Sequence, residues 1–530
     1  MKKVSFAITY NIIYINEVMC KNHLGMGIKM KRTVLFILGL SMVMSIVGCG
    51  SSSEKMTQTP VEEIAVKSFT AGASVHDPSI VVGEDGRYYI FGSHMDAASS
   101  GNLHNWKSFA TGVSDSNPLF NNLFEPDFEA FDYVGKNDEG WYSVWAPDVI
   151  YNKAMGKYVM YFCTTSSYIK SNLCFAVSDN LEGPYEYVDT FLYSGFIKSE
   201  LPKTNFYDIM TEDGAADNYV FPGLGYQNSL WPNCIDPAVF YDTEGRMWMV
   251  YGSWSGGIFL LELDEATGYP IHPEADAENE VDTYFGRRLI GGGHNSIEGP
   301  YILLDEESGY YYLFVSYGGL TSEGGYQIRV FRSESVEGPY LDAAGEHLGD
   351  VVDHSPYGVK LMGNYNLPSL KKAYMAPGHC SAFTDTDGKK YVVYHTRFDD
   401  GQEYHEPRVH QLFTTKNGWL AAAPFATAGE SLSEEGYDTA QMEGTWYVLN
   451  HGLDISSTIH DVQEMEIDKK GAGTGIQLAV EDGTPYVTIT MDGASYEGVV
   501  IDMLDEAENE TRCITAVGDN NQTIWMVHYK

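Results

Sequence analysis

Three carboxylates in this chain occupy the same kind of place. Asp77 in His76-Asp77-Pro78, Asp236 in Ile235-Asp236-Pro237 and Glu298 in Ile297-Glu298-Gly299-Pro300 each open an apolar, strand-like run. Brought to one pocket, such a set can divide acid and base work. A protonated carboxyl donates to a leaving oxygen, an ionised one activates water, and a third keeps the donor's proton on through its like charge. That is the chemistry of glycoside hydrolysis, and in its inverting form donor and base stand roughly 6.5 to 9.5 Å apart. A lone Asp-Pro is as readily a turn cap. The argument for catalysis comes from three acids at equivalent repeat positions, with each Asp-Pro expected to hold its Asp in extended backbone because the proline ring crowds the residue before it.

The elements that must position these acids are visible as a repeat. Five openings, at His76-Asp77-Pro78, Ala146-Pro147-Asp148, Ile235-Asp236-Pro237, Ile297-Glu298-Gly299-Pro300 and Pro377-Gly378-His379, lead into a strand, a polar turn and a return strand rich in Tyr. The turns, such as Asp242-Thr243-Glu244-Gly245-Arg246 and Asp385-Thr386-Asp387-Gly388-Lys389, carry a Gly suited to the positive φ of a tight hairpin. Return strands such as Met247-Trp248-Met249-Val250-Tyr251 are β-branched or aromatic, as buried strands are. Hairpin units repeated without a helical pattern predict an all-β, five-bladed β-propeller over residues 68–428, whose innermost strands open around one channel mouth. Acids far apart in sequence then meet.

Other residues join the mouth as candidates. Trp145, Trp231 and Trp254 can stack on sugar faces or pack in the core, and Ser253 is grouped with Trp254. Arg397, after the fifth return strand, either pairs with a channel acid or forms a surface salt bridge. Asp148 falls one step past its Pro, out of phase with Asp77 and Asp236, and reads as structural. A Gly-rich and Asn-rich passage over residues 205–232 ends at Trp231-Pro232-Asn233, which would set an aromatic beside Asp236. Past residue 440 the pattern changes to alternating strands with Gly-containing turns, which predicts a small C-terminal β-barrel or β-sandwich over 440–530.

The beginning of the chain has an address. Met30-Lys31-Arg32 and the apolar run to Val47 have the build of a secretory signal, and Ile46-Val47-Gly48-Cys49 resembles a bacterial lipobox. Residues 1–49 are therefore expected to be a signal region with a lipid anchor at Cys49, the alternative being an ordinary cleaved signal; residues 1–29 read as an upstream start-site artefact, and 50–67 as a flexible tether. With a net charge of −40 the chain repels nucleic acid and anionic lipid, whereas a neutral polymer is tolerated. The Cys residues show no CxxC spacing, so neither a zinc site nor a disulfide framework is indicated; Cys163 and Cys174 either pair or stay as buried thiols.

Taken together, His76-Asp77-Pro78-Ser79-Ile80, Trp145-Ala146-Pro147-Asp148, Asn233-Cys234-Ile235-Asp236-Pro237 and Ser296-Ile297-Glu298-Gly299-Pro300 resemble the motifs of glycoside hydrolase family 43, and most closely its two-domain extracellular arabinan endo-1,5-α-L-arabinanases. The resemblance implies a five-bladed propeller, inversion of configuration, Asp77 as general base, Glu298 as general acid and Asp236 as the residue that tunes and orients the acid. It implies a calcium ion on the propeller axis held by His379 and water; the sequence by itself makes His379 a hydrogen-bonded neighbour of the acids. The implied partner is arabinan or its oligosaccharides, acted on by a monomer at the bacterial surface or outside the cell. Exo-acting arabinofuranosidases and β-xylosidases need the same acids, and a non-catalytic sugar-binding lipoprotein is the rival from another class.

Overall fold

The computed structural model describes residues 64–530 apart from 224 and 428, so the signal region, Cys49 and residues 50–63 of the tether lie outside the described residues. Five antiparallel sheets, each built from strands consecutive in the chain, form the blades. Their innermost strands are Ser79–Val82, Ser143–Asn152, Ala238–Tyr241, Ile297–Asp305 and Tyr374–Thr384. Each pairs with the return strand read from the sequence: Tyr88–Gly92, Lys157–Thr165, Met247–Tyr251, Tyr310–Tyr317 and Lys390–Phe398. The hairpin glycines do what the turns require, with Gly245 at φ 79° and Gly388 at φ 82°.

Among the described residues no strand is exchanged between the first and last blades, and the ring closes through side chains. Ser381 Oγ donates to the Pro78 carbonyl at 2.7 Å, Tyr88 OH donates to Asp385, and Ile90, Val75, Val393 and Val409 share one buried cluster. Neighbouring blades are also stapled near the mouth. The Ala146 N–H donates to Ser93 Oγ (2.9 Å), Gly299 N–H to Asp236 Oδ2 (3.1 Å) and His379 N–H to Ser316 Oγ (2.6 Å). Asp148 ties three blades, accepting from Ser79 Oγ of blade one and from the Val239 N–H of blade three at 2.6 Å. It is a buried strut, as its phase in the repeat predicted.

The backbone corrects one expectation. The residue before the opening proline is not extended: Asp77 has φ 53°, Ala146 39°, Asp236 58°, Gly299 57° and Ala376 50°. Proline excludes the right-handed helical region from the residue before it, and here the chain takes the left-handed side instead, at a point where the strand pairing shifts register in blades two, four and five. A bulge with one such residue re-aims a side chain next to the break. The common register also shows that Glu298 is not equivalent to Asp77 and Asp236. It stands one residue earlier, in step with His76, Trp145 and Ile235, while Gly299 takes the strained position.

The C-terminal domain is one barrel-like sheet of eight strands, from Gly444–Asn450 to Thr523–Tyr529, around Trp446, Leu478, Ile489 and Met526. It docks on blades four and five. Trp525, Leu449 and Ile501 join the core of those blades, and Arg329, fully buried, donates to the carbonyls of Gly358 and Leu453 across the junction. Cys163 and Cys174 are free and buried.

Candidate active site

Asp77, Asp236 and Glu298 line a single cavity of about 540 Å3 at the mouth of the propeller, together with His379, Trp145, Ser253 and Trp254. No residue of the C-terminal domain lines it.

Each acid has a different environment. Asp77 is surrounded by donors: Ser93 Oγ and His76 Nδ1 (2.7 Å) meet Oδ2, and His379 Nδ1 lies 3.1 Å from Oδ1. Burial alone would raise its pKa, but His379 and His76 outweigh burial and hold the carboxyl well below the usual range, so it is ionised. Glu298 behaves oppositely. Burial and the charge of Asp77 lift its pKa, against the donors around it and the pull of His379. Its Oε2 accepts from Trp254 Nε1 at 2.8 Å and from Ser253 Oγ at 3.1 Å, and Tyr326 is a further hydrogen-bond partner of the carboxyl. Asp236 is also raised, first by burial and then by its carboxylate neighbours Glu298 and Asp77. Glu298 and Asp236 titrate as a pair that retains a proton beside an ionised Asp77.

His379 supplies the opposing charge. Burial would lower its pKa, yet Asp77, Asp236 and Glu298 together push it up to about 9. The ring fits only because residue 299 is glycine, since a Cβ there would stand 2.9 Å from His379 Cγ.

The expected calcium can be tested against these donors. His379 Nδ1 is taken by Asp77, and no protein partner meets its Nε2 among the described residues. Calcium prefers six to eight oxygens and a His ligand must be neutral, so His379 would hold an ion through Nε2 only after giving up the proton that the acids favour on it, with water supplying the oxygens. His76, Asp77 and His395 also bring ligand atoms within 4.8 Å of one another, but those atoms are engaged with one another around Asp77.

Of the sequence-predicted contacts, Trp145 lies in the cavity, with its Nε1 buried and without a partner. Ser253 and Trp254 are there too, and they hold Glu298 directly. Trp231 is a correction. Its ring packs against Tyr219 (4.9 Å) and Phe285 (5.8 Å) and its Nε1 donates to the Asn218 carbonyl, because the passage over 205–232 builds its own aromatic cluster and draws the indole away from Asp236. Arg397 is another. It meets no channel acid; its Nε lies 2.7 Å from Glu403 Oε2, off the hydrogen-bonding direction, and the side chain is buried outside the cavity. Sequence reasoning missed Asn137, Tyr168, His294 and Leu320, which reach the cavity from connecting segments with no motif of their own. It also missed Asn233, which stands in the Asp236 motif and lines the same cavity.

Comparison with known proteins agrees with this geometry. Residues 191–420 match the model for Glycosyl hydrolases family 43, and 424–526 match that of a C-terminal lipocalin-like domain. The chain is 37% identical over 485 residues to Extracellular endo-α-(1→5)-L-arabinanase 2 of Bacillus subtilis (strain 168), covering 88% of this chain and 95% of that protein. It is 36% identical to Extracellular endo-α-(1→5)-L-arabinanase of Thermotoga petrophila, covering 86% and 93%. Among solved structures, a family 43 glycoside hydrolase from Bacillus licheniformis superposes with a TM-score of 0.75 at 37% identity, over 88% of this chain and all of that one. The endo-1,5-α-L-arabinanase of Thermotoga petrophila in complex with TRIS gives 0.75 at 35%, again over 88% and 100%.

Proposed function

The chain belongs to glycosyl hydrolases family 43, and on that footing we propose that it cleaves internal α-1,5-L-arabinofuranosidic linkages of arabinan with inversion at the anomeric carbon. One observation carries the mechanism: within one cavity, Asp77 is driven to the ionised form while the Glu298–Asp236 pair is driven to keep a proton. Asp77 takes a proton from water as the water oxygen bonds to the anomeric carbon. The glycosidic C–O bond breaks on the opposite face, and Glu298 gives its proton to the leaving oxygen. Asp236 is the tuning residue, which shares a proton with Glu298, whose own burial and the charge of Asp77 favour its protonated form. Trp254 and Ser253 hold the acid in line, and the Trp145 side chain lines the same cavity.

His379 would hold a calcium ion on the axis, whose positive charge would offset the crowded carboxylates. Metal analysis of protein purified with and without chelator checks this; full activity in protein shown to be metal-free would refute it. The extracellular names of the relatives support work outside the cell. Retention at the membrane by a lipid on Cys49 is tested by Cys49→Ser, which should release the protein into the medium.

The deciding experiment sizes the early products from linear arabinan, branched arabinan and xylan. Mixed oligosaccharides from linear arabinan, released first as the β-anomer in a proton NMR time course, support the proposal. Arabinose alone from the first minutes would replace endo with exo action, and no cleavage of arabinan would overturn the reading.

A further inference from the structure

A second groove adjoins the catalytic cavity. It has a volume of about 600 Å3 and is lined by His94, Asp115, Phe124, Lys136, Trp141 and Tyr142. Its aromatic surface is open, with Trp141 68% and Phe124 43% exposed. Large aromatic side chains left in water next to a binding cleft call for a ligand with apolar faces.

The groove is built, and it shares its walls with the active site. Tyr142 is backed by Phe131 at 4.4 Å between ring centroids, with Phe124 at 5.6 Å and the Lys136 ammonium 5.0 Å over its ring. Trp141 is presented by a turn that Asn137 closes. The Asn137 N–H donates to the Trp141 carbonyl at 2.9 Å, and Asn137 Oδ1 accepts from the Trp141 N–H at 2.9 Å. Asn137 Nδ2 donates to Ser143 Oγ, and both residues line the catalytic cavity. On the other side, the His94 ring of the groove packs 4.7 Å from Trp145 of the cavity. A ridge made by His94, Trp145 and Asn137 is thus the boundary between the two spaces.

We propose that this groove is a distal binding site for the same polysaccharide chain, in which Trp141 stacks on a neutral furanose unit leaving the catalytic cavity over the His94–Trp145 ridge, with Tyr142 and Phe124 forming the floor beneath it. The inference rests on the reading of the protein as an endo-arabinanase. An enzyme that cuts inside a polymer must let the chain run out of the cleft, and a continuous aromatic surface lies at its edge. Asp115 and Lys136 offer an acceptor and a donor for sugar hydroxyls. A strongly anionic polymer is disfavoured by a net charge of −40.

The test compares wild type with Trp141→Ala, an exposed position whose loss leaves the core intact. The ratio of kcat/KM on linear arabinan to that on arabinotriose should fall about tenfold, the worth of one good stacking contact; an unchanged ratio overturns the proposal. A second readout needs no turnover. In gels cast with linear arabinan, Glu298→Gln protein should be retarded, and adding Trp141→Ala should relieve much of that retardation; equal retardation overturns the groove. Retardation by xylan relieved to the same degree overturns its assignment to the arabinan chain. If wild type fails to cleave arabinan while Trp141→Ala still relieves retardation on it, the groove stands and the proposed activity falls.

Discussion

Replacing Trp254 by Phe separates the electrostatics of Glu298 from the packing around it. The ring stays, and what is lost is the Nε1–H that donates to Glu298 Oε2 at 2.8 Å. A donor to a carboxylate oxygen stabilises the ionised form, so its removal raises the pKa of the acid. A hydrogen bond to a charged group is worth about 1.5–3 kcal/mol. Ser253 still donates to the same oxygen at 3.1 Å, and Trp254 is only half-buried, so water recovers part of the loss. Taking the lower end, the shift is about 1 pH unit, at 1.36 kcal/mol per unit. Glu298 acts protonated, so the basic limb of the kcat/KM profile on linear arabinan should move up by about that amount. Turnover at the optimum should fall, because the carboxyl loses one of the donors that hold it in line. Ser253→Ala should move the limb the same way by less. A Trp254→Phe protein with unchanged melting temperature whose basic limb stays in place, or moves down, refutes the assignment of Glu298 as the acid held by this indole.

Two further outcomes follow from the same geometry. Glu298→Gln should lower kcat on arabinan by more than about a hundredfold, yet lose far less on an arabino-oligosaccharide carrying a nitrophenolate leaving group, which departs without a proton; an equal loss on both would move the acid's role elsewhere. Asp148→Ala strands the Val239 N–H and the Ser79 hydroxyl in the core, at a cost of about 2 kcal/mol or more, so the melting temperature should drop by several degrees while the surviving folded protein keeps its kcat. A kcat loss comparable to that of Asp77→Asn would make Asp148 a catalyst after all.

The blades were legible in the sequence because each is a local event. A Gly-containing turn between an apolar strand and a Tyr-rich strand specifies its own hairpin, and five such hairpins in series imply closure whether or not any contact between blades is known. Asp77, Asp236 and Glu298 were legible for the same reason: motif and blade opening coincide. The cavity walls were not. Trp231 stands five residues from Asp236 in sequence, but its direction is decided by Tyr219 of its own irregular passage and by Phe285 of another segment, neither of which a local pattern names. Arg397 lies within its return strand, Lys390–Phe398, and turns to Glu403 in the loop that follows, a pairing with no motif to announce it.

The backbone at the five openings shows why the remaining detail was out of reach. A residue before proline has a strong local preference for extended geometry, and at all five positions the ring overrides it, at roughly 1–3 kcal/mol for each strained non-glycine residue. The override serves the chemistry. At a left-handed residue the strand breaks its pairing, so Asp77 and Asp236 leave the sheet and turn into the mouth, where His379 and Gly299 meet them. Blade four uses the same break differently. Glycine takes the strained position, the carboxylate moves one residue back to Glu298, and the space left by the missing Cβ admits the His379 ring. Donor and base therefore enter the cavity from different steps of one repeated motif, but the step does not set the charge: Asp236 shares the step of Asp77 and is raised with Glu298, whereas His379 and His76 hold Asp77 ionised.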